Sequence, residues 1–323
     1  MMREYYMLFA FLLLLLCFAN HAKGQDETNG KWWPHPEWGV GDEAGSSNRI
    51  STITVMRAMS MIKEGKISEL SFVHEPEMPV ALGRTFKVIS PSFPTGGPAG
   101  LNNIVWNDDY FSGELGHAGT QFDAPSHIGK RIILPNGKTE DRYYNGFTGD
   151  DLKSPYGVLK LGVEKVKPIV TRCYLIDIAK SKNVNTLGDG YEVTLKDVKE
   201  AMRKQSIAPE DIQEGDAVFF NYGWWRYWPD KEKVLAPRPG INKEVAEWLV
   251  SKKISLVGSD NSTDQGGTHA VHFDMLVKHG IVNLEFMNFE EILRSEVDRF
   301  ALFFTPIRLK GATGSPARPI AIY

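Results

Sequence analysis

The segment Gly116–His127 is the strongest constraint on how this chain folds, because it concentrates polar side chains on a backbone restricted by glycine and proline. Residues two apart in an extended chain point to the same side, so Gln121 and Asp123 are expected to converge. His117 and His127 then approach from either end. Imidazole and carboxylate are the usual ligands of zinc and manganese, so the spacing predicts a metal site rather than a polar surface turn.

This segment resembles the H-x-G-T-H-x-D-x-P-x-H signature of the cyclase-like metal-dependent hydrolases, the family of bacterial kynurenine formamidase and isatin hydrolase. One position differs, because Gln121 stands where the family has its central histidine. The segments Gly41–Ile50 and Gly311–Ala321 also resemble the entry segment and the C-terminal end of the longer family members. The resemblance therefore spans residues 35–323.

The chain after the motif alternates between apolar runs of strand length and a few helices. One helix is expected to start near Thr194 and another to span residues 241–252. This pattern predicts a single-domain α/β fold with a mixed sheet, and the resemblance implies the swivelling β/β/α fold. The runs expected to form strands are 157–163, 173–178, 216–221, 254–258, 281–286 and 300–308.

The chain before the motif is expected to contribute little regular structure. Ser51 or Thr52 can cap a helix that ends at Gly65, and residues 66–73 alternate like a strand. Residues 76–100 are rich in proline, glycine and serine, which predicts a long loop of the kind that covers active sites. Loops such as residues 76–112 and the aromatic segment at residues 224–228 are expected to line a pocket for a flat or apolar substrate.

The N-terminus predicts export. Met7–Ala19 is an apolar run of thirteen residues, too short to cross a bilayer, which needs about 20 residues in a helix. Residues 1–24 are therefore expected to be a secretory signal peptide, which leaves 25–323 as a secreted or periplasmic domain without stable membrane insertion. An uncleaved anchor is the alternative, because Glu4 offsets the charge of Arg3.

Composition excludes two classes of interaction. The chain has two cysteines, and Cys17 lies in the predicted signal, so Cys173 remains alone as a buried, inert thiol without a disulfide. Without residues 1–24 the chain carries 35 basic and 39 acidic residues, a balance of −4 that is no footprint for nucleic acid. Stability must then come from the core, a metal and self-association, and we expect a homodimer or homotetramer.

A second ligand-rich region follows at residues 268–285. A short helix from His272 to His279 is expected to end at Gly280 and lead into a buried strand that carries Glu285. A buried carboxylate is costly unless it is paired or binds a metal. In the family that this chain resembles, a histidine opening this helix and an acidic or amide residue on the next strand complete the site, as His272 and Glu285 would here.

Alternatives remain open for this second region. His269 is a candidate partner that hydrogen-bonds to a residue of the site without binding the metal itself. His279 is either functional or a surface cation at the helix end. Glu285 has the alternative of a salt bridge with Arg318.

The residues and the resemblance together predict hydrolysis of a small amide, lactam, ester or lactone. A divalent ion with open positions lowers the pKa of water and polarises a carbonyl, and a nearby base moves the proton. No G-x-S-x-G motif supports a serine nucleophile. The expected metal ligands are His117, Gln121 and Asp123. The expected proton-transfer residues are His127, His272 and Glu285.

Gln121 qualifies this prediction. An amide oxygen binds zinc more weakly than imidazole does, so a single ion is expected, with Mn²⁺ favoured over Zn²⁺. The alternative is a catalytically inactive secreted protein that binds a small molecule on the same scaffold. The metal content of the purified protein distinguishes the two.

Overall fold

A mixed β-sheet organises the chain, and its strands place the motif residues. The computed structural model describes residues 32–80, 83–134, 136–265, 269 and 271–323, so the predicted signal peptide at 1–24 lies outside the described residues. The strands in the described residues are β1 (Ile67–Glu69), β2 (Phe86–Ile89), β3 (Gly96–Ala99), β4 (Ile104–Trp106), β5 (Tyr110–Gly113), β6 (Gln121–Asp123), β7 (Lys130–Ile133), β8 (Thr139–Arg142), β9 (Ile169–Asp177), β10 (Glu192–Val193), β11 (Ala217–Asn221), β12 (Gly240–Ile241), β13 (Leu256–Ser259), β14 (Val282–Glu285), β15 (Arg299–Phe304), β16 (Gly314–Pro316) and β17 (Ile320–Ile322).

The helices are short. Those in the described residues are α1 (Thr52–Met59), α2 (Gly149–Leu152), α3 (Ile178–Ser181), α4 (Leu195–Lys204), α5 (Lys231–Leu235), α6 (Lys243–Ser251) and α7 (Glu290–Arg294). Turns of 3-10 helix lie at Gly45–Arg49, Tyr144–Gly146, Val163–Lys165, Pro209–Asp211 and Trp224–Tyr227, and a π-helix lies at His272–Val277. None of these helices combines the length and the apolar character needed to cross a bilayer.

Nine strands form the main sheet in the order β1-β17-β15-β9-β11-β13-β14-β6-β16. The central strands β9, β11, β13 and β14 are parallel, whereas β6 pairs antiparallel with both β14 and β16. Residues 32–130 and 141–323 form one compact unit, and the hairpin of β7 and β8 is a separate two-stranded sheet. The predicted α/β class with a mixed sheet is confirmed.

Both faces of the central sheet are buried, which explains the continuous apolar runs in the sequence. Along β9, Cys173 and Leu175 point into one core and Tyr174 and Ile176 into the other. The second core packs against α4 and α6. Burial raises the pKa of the Cys173 thiol well above its ordinary value, as expected for an inert packed side chain.

Side-chain caps fix the helix starts, and the starts expected near Thr194 and at Ser51 or Thr52 are confirmed. Thr194 caps α4, and Ser51 caps α1, each by accepting a hydrogen bond from the backbone three residues on. Asn242 caps α6, so Ile241, expected in that helix, lies in β12 instead. Helix α1 ends at Met59 rather than at Gly65.

One expected strand and one expected loop are wrong. Residues 157–163 form no strand, because this run packs as irregular chain that leads into the 3-10 turn at Val163–Lys165. Residues 76–100 are not a continuous loop, since they contain β2 and β3, which pair with β5 and β4. The β2–β5 pairing joins segments more distant in the sequence, whereas β3 and β4 form a local hairpin whose proline and glycine content is typical of a loop.

The entry segment reaches the start of β14 through a close backbone approach. The N–H of Ser46 donates to the carbonyl of Gly280 at 2.8 Å, and Ser46 Oγ accepts from the N–H of Val282 at 3.2 Å. Gly45 has φ +57°, and a Cβ there would collide with the Gly280 carbonyl oxygen. Only glycine fits at this position.

Gly45→Ala therefore should destabilise the protein far more than Gly41→Ala. Gly41 also has a positive φ, of +87°, but has open space around it, so alanine there costs only about 1–2 kcal/mol of backbone strain. At Gly45 a packing strain of about 1–3 kcal/mol is added. Urea unfolding of both variants measures the difference, and equal losses would contradict the close approach.

Candidate metal centre

Strand pairing brings the two ligand-rich regions together. In the antiparallel register of β6 and β14, Gln121 lies opposite Glu285 and Asp123 opposite Asn283. Phe122, between the two motif residues, points into the core and is fully buried. The alternation expected from the sequence thus puts Gln121 and Asp123 on one face, beside the β14 side chains.

The carboxylate of Asp123 is the hub of the site. Its Oδ1 lies 3.2 Å from Nδ1 of His117 and 3.8 Å from Nε2 of His127. Its Oδ2 lies 3.4 Å from Nε2 of His272 and accepts a hydrogen bond from Asn283 at 3.2 Å. Burial opposes the charge, but the neighbouring imidazoles of His127, His117 and His272 outweigh it and hold the pKa of Asp123 well below its usual range.

The two motif histidines stack on one another with ring centres 3.8 Å apart. His117 Nε2 lies 2.9 Å from the hydroxyl of Thr313, so Nδ1 is the nitrogen that faces Asp123. Burial lowers the pKa of His127 to about 4, so its imidazole is neutral at physiological pH. No hydrogen bond within the described residues engages the His127 ring, and its Nε2 is free to accept a proton.

Gln121 and Glu285 face each other across the strand pair. Gln121 Nε2 donates to Glu285 Oε2 at 3.3 Å. Glu285 Oε1 accepts from the N–H of Thr263 at 3.1 Å and from Asn283 Nδ2 at 2.9 Å. Burial, together with the negative charge of Asp123, raises the pKa of Glu285.

The alternative partner considered for Glu285 is wrong. Arg318 is exposed and pairs with the exposed carboxylate of Glu69. Glu285 is only 4% exposed, so its charge is balanced inside the site rather than by a salt bridge to Arg318.

His272 opens the π-helix with its ring held between carboxylates. Its Nδ1 is hydrogen-bonded to Asp264, and its Nε2 lies 3.4 Å from Asp123 and 3.5 Å from Glu285. Burial works against a charged ring, but the hydrogen bonds to Asp123 and Asp264 raise the pKa of His272 well above its ordinary value. A carboxylate behind the imidazole fixes which nitrogen faces the site, an arrangement typical of metal-binding histidines.

The other two histidines lie differently. The side chain of His269 is 74% exposed, with Nδ1 3.8 Å from Asp264, so it is placed as an outer neighbour of His272. His279 belongs to none of the candidate ligand groups in the described residues. Burial lowers the pKa of His279 to about 4, so it is not the surface cation that the sequence offered as an alternative.

The donor set fits a divalent metal. His117, Asp123 and His127 form one group with ligand atoms within 4.8 Å of one another, and Asp123, His272 and Glu285 form a second. Imidazole nitrogens and carboxylate oxygens are suitable ligands for Zn²⁺ and Mn²⁺. The other five residues expected at the site thus lie around Asp123, while the division of the six into ligands and proton carriers, and the expected single ion, stay predictions.

Three residues of the site escaped the sequence analysis. Asp264 orients His272, Asn283 bridges Asp123 and Glu285, and Thr313 holds His117. Asn283 lies two residues before Glu285 on one strand, so alternation alone identifies it as a neighbour. Asp264 gave no such signal, because the turn that brings it to His272 is irregular chain.

Comparisons with known proteins show what the whole chain is similar to. The chain is 26% identical to Cyclase-like protein 3 of Arabidopsis thaliana over 269 residues, which are 80% of each chain. It superposes on a crystal structure described as a novel cyclase with a TM-score of 0.77 and 27% identity, over 88% of this chain and 98% of that one. Isatin hydrolase A from Ralstonia solanacearum has the same fold, with a TM-score of 0.58 and 21% identity, over 79% and 91% of the two chains.

A family model described as a putative cyclase matches residues 68–265. That range contains the whole motif with β6 and extends through the loop that carries Asp264. The family expected from the sequence is confirmed, and so is its fold. Because this model covers more than half of the chain, the protein belongs to the putative cyclase family.

Proposed function

We propose that this protein is a metal-dependent hydrolase that opens a small cyclic or aryl amide, lactam, ester or lactone. The observation that carries the proposal is the convergence of two imidazole–carboxylate groups on the buried carboxylate of Asp123. Burying several ionisable groups at one point is costly, and such clusters are typical of functional sites. Solved structures of similar fold named as isatin hydrolases and as a predicted metal-dependent hydrolase support the same reaction class.

His117, Gln121 and Asp123 would hold one divalent ion, with Mn²⁺ favoured over Zn²⁺. A bound divalent ion supplies Lewis acidity, which lowers the pKa of water and polarises a carbonyl. Gln121 presents its amide nitrogen to two carboxylates, and rotating the amide by 180° exchanges this nitrogen for the oxygen. An oxygen donor suits manganese better than zinc.

The neutral ring of His127 would accept the proton of the attacking water and return it to the leaving group. Its free Nε2, 3.8 Å from Asp123, supports this role. His272 is locked by Asp264, so it can hold a proton at Nε2 toward Asp123 and Glu285. Glu285 is held in place by the N–H of Thr263 and by Asn283, which makes it a fixed hydrogen-bond acceptor beside the proposed metal site.

A second candidate is a secreted binding protein without catalysis, which Gln121 in place of histidine favours. Both proposals include export of the mature chain without membrane insertion, which the apolar run Met7–Ala19 supports. Both also include no nucleic-acid partner, which the excess of acidic residues supports. Turnover by metal-loaded protein separates the two candidates.

We also propose that the protein self-associates through the arm formed by residues 86–113. The sheets β2–β5 and β3–β4 pair only within this arm, and isolated two-stranded hairpins are marginally stable. The arm exposes a set of large apolar side chains to solvent: Val88, Ile89, Phe93, Leu101, Ile104, Val105, Trp106, Tyr110 and Phe111. Such a patch is typical of an interface, and a second copy of the chain would cover it.

The test of the proposed reaction is a screen of lactones, lactams and N-formyl aryl amines with Mn²⁺- or Zn²⁺-loaded protein. We expect about one ion per chain and loss of turnover on chelation. His117→Ala and Asp123→Ala should lose metal and activity together. His127→Ala should keep the metal and lose roughly two to four orders of magnitude in turnover, as expected for a general base. Metal-loaded protein inactive on the whole screen would favour the binding protein.

Asp264→Asn should lower metal affinity or turnover by about 10- to 100-fold, because it removes the charge that orients His272. Asp274→Asn is the matched control. Asp274 is a buried carboxylate on the π-helix that His272 opens, and it pairs with Lys278 rather than with His272. Metal titration, turnover and melting temperature are measured on both variants. The same loss in both would assign the effect to stability and contradict the positioning role.

Phe93→Ser and Leu101→Ser should shift the protein toward monomer, because Phe93 is 75% exposed and Leu101 is fully exposed on the arm, so both are available to an interface. Light scattering after size-exclusion chromatography measures the mass. Tyr156→Ser is the control, since Tyr156 is 93% exposed outside the arm. A monomeric parent protein would refute the proposal.

A further inference from the structure

Arg238 carries a guanidinium group that has no hydrogen-bond acceptor among the described residues. Its Nε is buried without a hydrogen-bond partner, and no described residue accepts a hydrogen bond from it or forms an ion pair with it. A guanidinium offers five N–H donors in a planar fork. Half-buried donors without acceptors are costly, so such a group in a native structure is expected to meet water or a ligand.

The backbone holds Arg238 beside the candidate metal centre. The segment 238–241 runs along the loop that carries Asp264, with Ile241 bridged to Asp264 and Asn261 Nδ2 donating to the carbonyl of Pro239 at 3.2 Å. A Cβ at Gly240 would collide with the backbone of Asp264. Arg238 is therefore anchored to the same loop that orients His272.

The guanidinium points toward the end of β14. Its central carbon lies 5.6 Å from the ring centre of Phe286, the residue that follows Glu285. Phe286 has φ +55°, which is strained for an aromatic residue. Its N–H donates to the carbonyl of Asn261 at 3.1 Å, and its carbonyl accepts from Thr120 Oγ1 at 2.7 Å. These two hydrogen bonds hold Phe286 in the strained conformation.

Aromatic rings extend the surface next to Arg238. Trp228 stacks on Phe72 with ring centres 4.2 Å apart and planes 4° apart, and lies 6.4 Å from Phe286. Thr120 Oγ1 also accepts from the N–H of Phe72 at 3.0 Å. These three half-buried rings, here termed the aromatic wall, are thus tied to the residue that precedes Gln121.

We propose that Arg238 and the aromatic wall form the subsite for a carboxylate-bearing aryl group of the substrate. The planar fork of arginine matches a carboxylate in two parallel hydrogen bonds, and the rings accept a flat aryl group. The substrate class is then an anionic aryl amide or ester. This assignment rests on the proposed hydrolase function for its chemistry, but binding of the anion does not require turnover.

The alternative role for Arg238 is to balance the buried charge of Glu285 without touching a ligand, since its charge lowers the pKa of that carboxyl against the effects of burial and Asp123. The two roles differ in what a substitution changes. Loss of a binding group affects anionic ligands alone, whereas loss of charge balance affects metal content and all ligands equally.

The first test measures binding of benzoate and of its neutral counterpart benzamide to the purified protein by calorimetry. Arg238→Gln should weaken benzoate binding by about 10- to 100-fold and leave benzamide unchanged, because only the anion gains charge-assisted hydrogen bonds. Arg238→Lys should recover part of the loss, since it restores charge but not the fork. Arg226→Gln is the control, because that exposed guanidinium lies 4.0 Å from the ring of Trp225 and lines a cavity whose walls do not include Arg238.

The second test compares hydrolysis of 4-acetoxybenzoate with that of phenyl acetate by metal-loaded protein. Arg238→Gln should lower kcat/KM about 10- to 100-fold for the anionic ester only, at unchanged metal content and melting temperature. Equal losses for both esters, or equal weakening of benzoate and benzamide, would overturn the subsite. If neither ester is hydrolysed but Arg238→Gln still selectively weakens benzoate binding, the proposed function fails and the subsite stands.

Discussion

The buried carboxylate of Asp123 is the constraint on which the rest of the site depends. A charge removed from water is costly unless it is compensated, and here three imidazoles and two amide donors surround it. Those partners come from three separate parts of the chain: His117, Gln121 and His127 from the motif, His272 from the π-helix and Asn283 from β14. The ionised state of one side chain therefore joins the motif to the second half of the domain.

Strand pairing makes this compensation possible. The site lies at the carboxyl end of β14, in a run of parallel strands, where open α/β sheets commonly bind ligands. Because β6 joins this edge in the antiparallel sense, Gln121 meets Glu285 side by side. The contact of Ser46 with Gly280 then fixes where β14 begins. A slip of one residue would turn Glu285 into the core, so register and chemistry are one requirement.

Irregular backbone gathers at the same place. His272 opens a π-helix, a rare geometry that is frequent at functional sites, and Phe286 keeps a left-handed conformation directly after Glu285. Hydrogen bonds hold both: the N–H of His272 donates to Asp264, and Thr120 Oγ1 donates to the carbonyl of Phe286. Irregular backbone therefore lies where it orients the side chains of the site, and the rest of the sheet is regular.

The sequence by itself determined the mixed α/β class and most central strands, because these depend on local alternation and on capping residues such as Thr194. It determined the family and most of the side chains that meet at the site through the resemblance of its motif and of its second ligand-rich region to a known family. Only the tertiary structure decided that the segment around β2 and β3 is paired, that Asp264 supports His272, and that Arg238 lies beside Phe286. Each of these is a contact between residues distant in the chain or within irregular loops. Such contacts leave no periodic trace, since their geometry is set by the packing of the whole sheet.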